Sequence, residues 1–253
     1  KLANNVSGAT RLFIIKGNAP SMEMTNDGGN SSASLSANLT VYGNLDIYGT
    51  GTFNNSTFSL SMPGMNASAP GHITIHPGAT FTMNSGTSPA LIFNSTFGNQ
   101  TFTNNGVLTD NQLTVLSVNN TFGGGGTVTV PSGLTIKGDG AINLLNGTLQ
   151  TGTGITAGSG GTSGFTIVRT NGQISGPVTH NHGSGVVNVT YNGTTAQVTG
   201  YELPPAISGT LLINNPGGIT LNSAVTTSKL TMTSGNITSS AINLLTISGT
   251  GAS

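Results

Sequence analysis

The sequence predicts an all-β chain wound into a right-handed parallel β-solenoid, with short strands and turns at glycine or asparagine. Short segments alternate apolar and Thr or Ser residues, which is the period-two pattern of a strand with one buried face. Their centres recur every six or seven residues in the last third of the chain, as at Ile213, Ile219 and Val225. Glycine accounts for 39 of the 253 residues, a content that destabilises long helices.

The predicted strands run along the whole chain, and nearly all have the form apolar–Thr/Ser–apolar. The β-branched threonine suits the outer face of such a strand. In chain order the predicted strands include 39–41, 45–47, 58–62, 73–75, 80–83, 91–93, 107–109, 113–115, 127–130, 134–136, 186–191, 211–213, 219–221, 230–232 and 244–247.

The predicted turns are short steps such as Asn146-Gly147 and Gly217-Gly218, because these residues tolerate the left-handed backbone that a tight corner needs. Three strands per coil give about 20 residues per coil. Strands at this spacing are too short and too close for the usual antiparallel sandwich. A two-domain β-sandwich array is the alternative fold.

We expect residues 1–253 to form one continuous solenoid segment that belongs to a longer chain. The Gly/Ser-rich stretch at 156–164 is the only candidate break in that segment. It is either a seam between two units or a long loop, and we favour the loop.

Charge is scarce, with six basic and six acidic residues and a formal net charge of zero. A typical globular domain devotes about a quarter of its residues to charged side chains. Without a basic stripe we expect no nucleic-acid partner, and without a long apolar run no membrane insertion. Because an uncharged Thr/Asn/Ser face meets its own copy without repulsion, we expect self-association into a filament or bundle.

The C-terminal part of the chain resembles a module of giant repetitive surface proteins of Bacteroidota. The resemblance rests on VTYNGTTAQ at 189–197, YELP at 201–204, LINNPGGITLNSAVT at 212–226 and LTMTSGNIT at 230–238. Those proteins include gliding-motility adhesins and filaments exported by the type IX secretion system. The resemblance implies an extracellular, cell-surface location and a role in attachment or motility, and it transfers no catalytic residue.

Catalysis by a parallel β-helix on polysaccharides would need clustered carboxylates, either paired for acid/base work or grouped around a cation. The six acids show no Asp-Asp, Asp-x-Asp or Glu-x-Asp pairing. Stacked coils could bring two acids together, but we expect isolated turn or surface acids. They are Glu23, Asp27, Asp46, Asp110, Asp139 and Glu202. The sequence therefore predicts a protein that is not an enzyme and carries no cofactor.

The four histidines form two pairs. His72 and His76 flank a strand, which separates their rings by about 13 Å, too far for one metal ion. His180 and His182 are two residues apart and would lie on one face of a strand. They are weak metal candidates, and an exposed loop pair is the favoured interpretation.

Aromatic residues offer the remaining candidate contacts. The nine phenylalanines, Phe97 and Phe122 among them, could form an exposed sugar-stacking platform, but we expect them to fill the core. The tyrosines are candidates for contact with surface glycans of other cells; they are Tyr42, Tyr48, Tyr191 and Tyr201. The sequence thus predicts a rigid, adhesive stalk segment for attachment, motility or cell–cell contact, with a carbohydrate-binding β-helix module as the alternative.

Overall fold

The computed structural model describes residues 2–4, 11–26, 31–83, 90–109 and 112–249, and within them the chain is a right-handed parallel β-solenoid. All pairings between its named strands are parallel, as in the ladders of Leu45 with Ile73 and Ile167 with Val189. In the described residues the only antiparallel bridge joins Asn66 to Ala69 inside a turn. The predicted solenoid is confirmed, and the sandwich alternative is wrong because sandwiches are built from antiparallel strands.

The first face of the solenoid consists of an eight-stranded sheet followed by a three-stranded sheet. With strands numbered along the chain, the larger sheet contains β1 (Leu2–Asn4), β3 (Met22–Asn26), β5 (Leu45–Ile47), β8 (Ile73–Ile75), β11 (Gln100–Asn104), β14 (Thr127–Thr129), β16 (Thr148–Gln150) and β19 (Gln173–Ser175). The smaller sheet contains β22 (Gln197–Val198), β24 (Ile219–Thr220) and β26 (Ile237–Thr238), which take the same place in later coils.

A 16-stranded sheet covers the second and third faces, because its longest strands bend around the corner between them. Its strands are β2 (Arg11–Ala19), β4 (Ser31–Val41), β6 (Thr52–Asn54), β7 (Leu60–Met62), β9 (Thr80–Thr82), β10 (Ala90–Phe93), β12 (Val107–Thr109), β13 (Gln112–Asn119), β15 (Thr135–Asn146), β17 (Ile155–Ala157), β18 (Phe165–Arg169), β20 (Val178–His180), β21 (Val187–Tyr191), β23 (Ala206–Asn214), β25 (Val225–Ser234) and β27 (Leu245–Ile247). Strand β4, for example, pairs with β6 on the second face and with β7 on the third. The one helix in the described residues is the short 3₁₀ turn Phe122–Gly124.

The coils differ in length. On the third face Leu211 pairs with Leu230, whereas Leu60 pairs with Leu91, so the second of these coils is much the longer. The expected value of about 20 residues per coil therefore holds only for the shorter coils. In the longer ones the extra residues lie in the connections between faces, which allows side chains there to project beyond the body of the solenoid.

Inward-facing apolar side chains stack from coil to coil and form a thin continuous core. On the third face each member of one such column is almost completely buried; the column is Leu60, Leu91, Leu116, Ile142, Ile167, Val189 and Leu211. Beside it, the rings of Phe53 and Phe81 meet edge to face with centroids 5.3 Å apart. Burial of a Val, Leu, Ile or Phe side chain contributes about 1.5–3 kcal/mol, so the column is a main source of stability.

Glycine forms two of the predicted corners. Gly147, after β15, has φ of +87°, and Gly218, before β24, has φ of +76°. A Cβ at Gly147 would also collide with the Gly126 carbonyl of the preceding coil. The predicted turns are confirmed, and each needs glycine for both its backbone conformation and its close approach. The 156–164 stretch begins within β17 and continues as the connection to β18.

Buried amide side chains support the corner between the third and first faces. Asn120 donates to the Gly98 carbonyl (2.8 Å) and to Gln100 Oε1 (3.2 Å), and Gln100 donates to the Met62 carbonyl (2.7 Å). Both side chains are fully buried. Because the Asn120, Gln100 and Met62 contacts span successive coils, the amides connect the stack from inside.

The same arrangement recurs at this corner near the C-terminal end. Asn215 donates to Gln197 Oε1 (3.0 Å) and to the Thr195 carbonyl (2.8 Å), while Gln197 donates to the Thr170 carbonyl (2.5 Å). Buried polar groups cost free energy unless they are hydrogen-bonded. The repeated Gln–Asn pair is therefore a satisfied internal network, and it holds the coils in register.

Candidate functional site

A cleft of about 600 Å³ lies at the corner between the third and first faces. The strands that carry it, β2, β4, β7 and β10, pair in that order. Four coils at about 4.8 Å spacing make a groove parallel to the solenoid axis. Its lining residues are Asn18, Ala19, Pro20, Tyr42, Pro63, Gly64, Met65, Asn94, Thr96 and Phe97.

The cleft wall is uncharged and presents apolar side chains to solvent. Tyr42, Met65 and Phe97 are 42%, 44% and 41% exposed. Asn18 and Asn94 add amide groups at its two ends, and Ser61 Oγ donates to Asn94 Oδ1 (3.3 Å). Such a surface makes van der Waals, stacking and amide hydrogen-bond contacts.

The Phe97 loop is held in place by the buried amide network. The Phe97 N–H donates to Ser95 Oγ (3.0 Å), and the Ser95 N–H donates to Gln100 Oε1 (3.1 Å). Ser95 and Gln100 are both fully buried. The exposed ring therefore stands on a buried, hydrogen-bonded base.

Tyr42 is exposed as predicted for a contact residue, whereas Phe97 and Phe122 are not core residues. Phe97 is 41% and Phe122 43% exposed, so their assignment to the core was wrong. Both follow a strand rather than lying within one, and the alternating pattern that turns an aromatic ring inward does not extend to them. The sequence signal for their exposure was an aromatic residue placed inside a turn rich in Gly, Asn and Ser.

Tyr48 lies at a different corner, after β5, and one face of its ring is occupied. It stacks on His76 with centroids 3.7 Å apart and a 13° tilt. His76 Nε2 donates to Asp46 Oδ1 (3.2 Å). Desolvation, Asp46 and Glu23 together raise the pKa of Tyr48. The residue is 37% exposed.

Stacking brings two of the acids together. Glu23 and Asp46 are register partners on β3 and β5, so they occupy neighbouring coils of the first face. Asp139 is exposed and contacts Lys137 at 3.1 Å, as expected of a surface acid. The expectation of isolated acids is therefore wrong for the Glu23–Asp46 pair. Asp27 and Asp110 lie outside the described residues.

The histidines that flank β8 have separate partners. Thr101 N–H donates to His72 Nδ1 (3.1 Å), whereas His76 contacts Asp46. Burial lowers the pKa of His72, partly offset by Asp46. The two rings thus have different partners, one at each end of the strand.

Tyr191 is completely buried, so its assignment as a glycan contact is wrong. It ends the inward series Val187, Val189, Tyr191 on β21. Its hydroxyl donates to Glu202 Oε1 (3.0 Å). Burial, with the Glu202 carboxylate, raises the pKa of Tyr191. The period-two pattern, followed to the end of the strand, would have placed this ring in the core.

Tyr191 belongs to a buried ion-pair cluster. Arg169 Nη1 lies 2.6 Å from Glu202 Oε1, with side chains 8% and 0% exposed. Arg169 also donates to the carbonyls of Gly172 and Val198, each at 2.7 Å. These bonds link consecutive coils at the point where the first face passes from its eight-stranded sheet to its three-stranded sheet. The sequence-based expectation that Glu202 is a surface acid is wrong.

His180 and His182 lie together as the spacing suggested, with ring centroids 5.6 Å apart. The favoured interpretation as an exposed loop pair is wrong, because His180 ends strand β20 and both side chains are half-buried. His180 Nε2 donates to the carbonyl of Tyr201, a residue 54% exposed. Burial lowers the pKa of His180, and burial with the neighbouring His180 lowers that of His182 to about 4. Both rings line a cleft of about 450 Å³. As a metal site the pair stays a hypothesis.

Across the described ranges, no group of three or more His, Asp or Glu residues is placed to hold a metal ion. No helix in that part of the chain has the length and apolarity to cross a membrane.

Comparison with known proteins gives no relative: no family model, curated protein or solved structure matches the chain.

Proposed function

We propose that this chain is a structural and adhesive segment of a secreted cell-surface filament or adhesin, where it forms a rigid stalk for attachment, motility or cell–cell contact. The observation that carries the proposal is the ladder on the third face, where parallel strands pair without interruption from β2 to β25. Shorter parallel ladders on the other two faces lie beside it. Bending such a stack would strain many ladders at once. The low charge favours lateral contact with identical chains, and the resemblance to type IX secretion substrates favours an extracellular location.

A retention assay tests the proposal. Beads that carry the chain through a terminal tag are held on layers of bacterial cells under increasing flow, beside beads that carry an unrelated soluble protein of similar size. Adhesion predicts that the chain-coated beads stay attached at flow rates that remove the control beads. Equal loss of both kinds of bead would contradict an adhesive role.

A carbohydrate-binding β-helix module is the second candidate, and the uncharged axial cleft favours it. In this alternative the chain recognises a glycan without giving mechanical support. A glycan array on the isolated chain, read together with the retention assay, separates the two. Binding to the array without bead retention would favour the module.

A further inference from the structure

We propose that the axial cleft binds a neutral, extended, β-linked glycan that lies parallel to the solenoid axis. The inference deepens the proposed function and rests on it, because it names the surface through which the segment would adhere. Its basis is the alignment of Tyr42, Met65 and Phe97 on consecutive coils at one corner.

The lining of the cleft selects for a neutral ligand. All ten lining residues are uncharged, so an anionic glycan would lose hydration without gaining an ionic partner. The rings of Tyr42 and Phe97 can stack on the apolar faces of sugar rings, and the Asn18 and Asn94 amides can bind hydroxyl groups. Small-molecule sites are usually lined by mostly apolar side chains with a few polar groups, and the cleft has this composition.

The repeat of the groove matches that of the ligand. Consecutive coils are about 4.8 Å apart, and an extended β-linked glycan advances by a similar distance per sugar. One sugar can therefore lie over each coil, from the Asn18 end to the Phe97 end. A glycan with a curved or helical path would contact only one or two coils.

A peptide is the less suitable occupant. Peptide strands bind sheets by adding to a free backbone edge, but backbone groups at this corner already bond between coils. The Tyr42 N–H donates to the Ala19 carbonyl (2.8 Å), and the Asn94 N–H donates to the Met62 carbonyl (3.3 Å). The corner therefore offers side chains rather than an open ladder.

Calorimetric titration of the full chain tests the proposal with three neutral extended probes: cellohexaose, chitohexaose and xylohexaose. Maltohexaose serves as the curved neutral control and a galacturonate hexamer as the anionic one. We expect saturable 1:1 binding of at least one extended probe, and weaker binding of both controls. Tyr42→Ala and Phe97→Ala should each weaken binding about tenfold, with unchanged thermal midpoints because both side chains are exposed.

Tyr48→Ala is the matched control, since Tyr48 is similarly exposed but lies at another corner. The proposal is overturned if no extended probe saturates, if Tyr48→Ala weakens binding as much as Tyr42→Ala, or if an unrelated apolar peptide competes for the cleft. Bead retention that persists without glycan binding would refute glycan binding at the cleft but would still support an adhesive role. Glycan binding without retention would refute adhesion alone.

Discussion

The Arg169–Glu202 pair is a buried ionic contact that joins two consecutive coils. Glu202 Oε1 accepts hydrogen bonds from Arg169, from the Tyr191 hydroxyl and from the Gly200 N–H (2.9 Å). Removing one member of a buried pair leaves an uncompensated charge in the interior. The cluster also connects two coils whose first-face strands belong to different sheets, so its loss affects more than one coil.

Glu202→Gln should reduce the free energy of unfolding by about 3–5 kcal/mol, the usual cost of breaking a buried pair. Urea denaturation measures the change. The matched control is Asp139→Asn, which breaks the exposed contact with Lys137 and should cost less than about 1 kcal/mol. Equal effects of the two substitutions would show that the buried pair does not stabilise the fold.

His182 predicts a pH dependence of stability. Its pKa falls from 6.5 to about 4 on folding, so between these values the unfolded chain binds a proton that the folded chain does not. The contribution of His182 to the free energy of unfolding is therefore fully present above pH 6.5 and is lost as the pH falls towards 4.

His182→Asn should flatten this dependence. Thermal midpoints recorded above and within the window for the chain and the variant provide the measurement. His180, whose pKa is also lowered, leaves a residual slope in the variant. An unchanged slope would mean that His182 is solvated in the folded chain.

At the scale of the element, the corner amides act as internal connectors. Asn215→Ala would leave the Gln197 carbonyl oxygen and the Thr195 carbonyl without their donor. We expect a loss of about 1–3 kcal/mol, the cost of an unsatisfied buried group. Asn214→Ala is the control, because its amide bonds Asn192 on the exposed surface (2.7 Å).

Hydrogen exchange then locates the change. Faster exchange in the Asn215→Ala variant should be concentrated at 195–197 and 215–219, where the amide bridges two coils. Uniform acceleration along the chain, or none, would contradict a local connecting role.

Strand positions follow from the sequence because alternation is a local property. All fifteen predicted strands coincide with observed ones, wholly or in their central residues. The contacts between coils are not local, however. The word AINLL occurs at 141–145 and at 241–245; Ile142 is fully buried in β15, while Ile242 is 81% exposed in the turn before β27. The same residues thus take different structures according to their place in the coil.

The candidate sites show the same limit. Arg169 and Tyr191 occupy inward positions that alternation could have identified, but nothing near Glu202 in sequence indicates its partners. The cleft depends on coils of unequal length, because the connection after β7 carries Met65 outward. The sequence analysis assumed a regular spacing of strands, and such a spacing does not predict that coils differ in length.

At the scale of the whole molecule, the last coil leaves its core side chains uncovered. Ile213 is fully buried, whereas its register partner Met232 is 44% exposed; Ile247, in β27, is 50% exposed. In the described residues, β26 and β27 are paired on one side only. Unpaired edges with apolar side chains invite another strand, so we predict that the isolated chain self-associates through this end.

Met232→Thr combined with Ile247→Thr should therefore weaken concentration-dependent association of the isolated chain, as measured by sedimentation velocity. Ile242→Thr is the control, since this exposed residue lies in a turn outside the core column. Association that responds more to Ile242→Thr than to the double substitution would place the contact elsewhere.

The most direct test of the account is to pull a single chain by its two ends. A stack of coils should yield in small successive steps, each releasing one coil. With about 20 to about 30 residues per coil and up to about 3.6 Å per residue, each step should lengthen the chain by roughly 70–110 Å. A single event that releases the whole chain at once would contradict the stacked, mechanically continuous solenoid on which the proposed function depends.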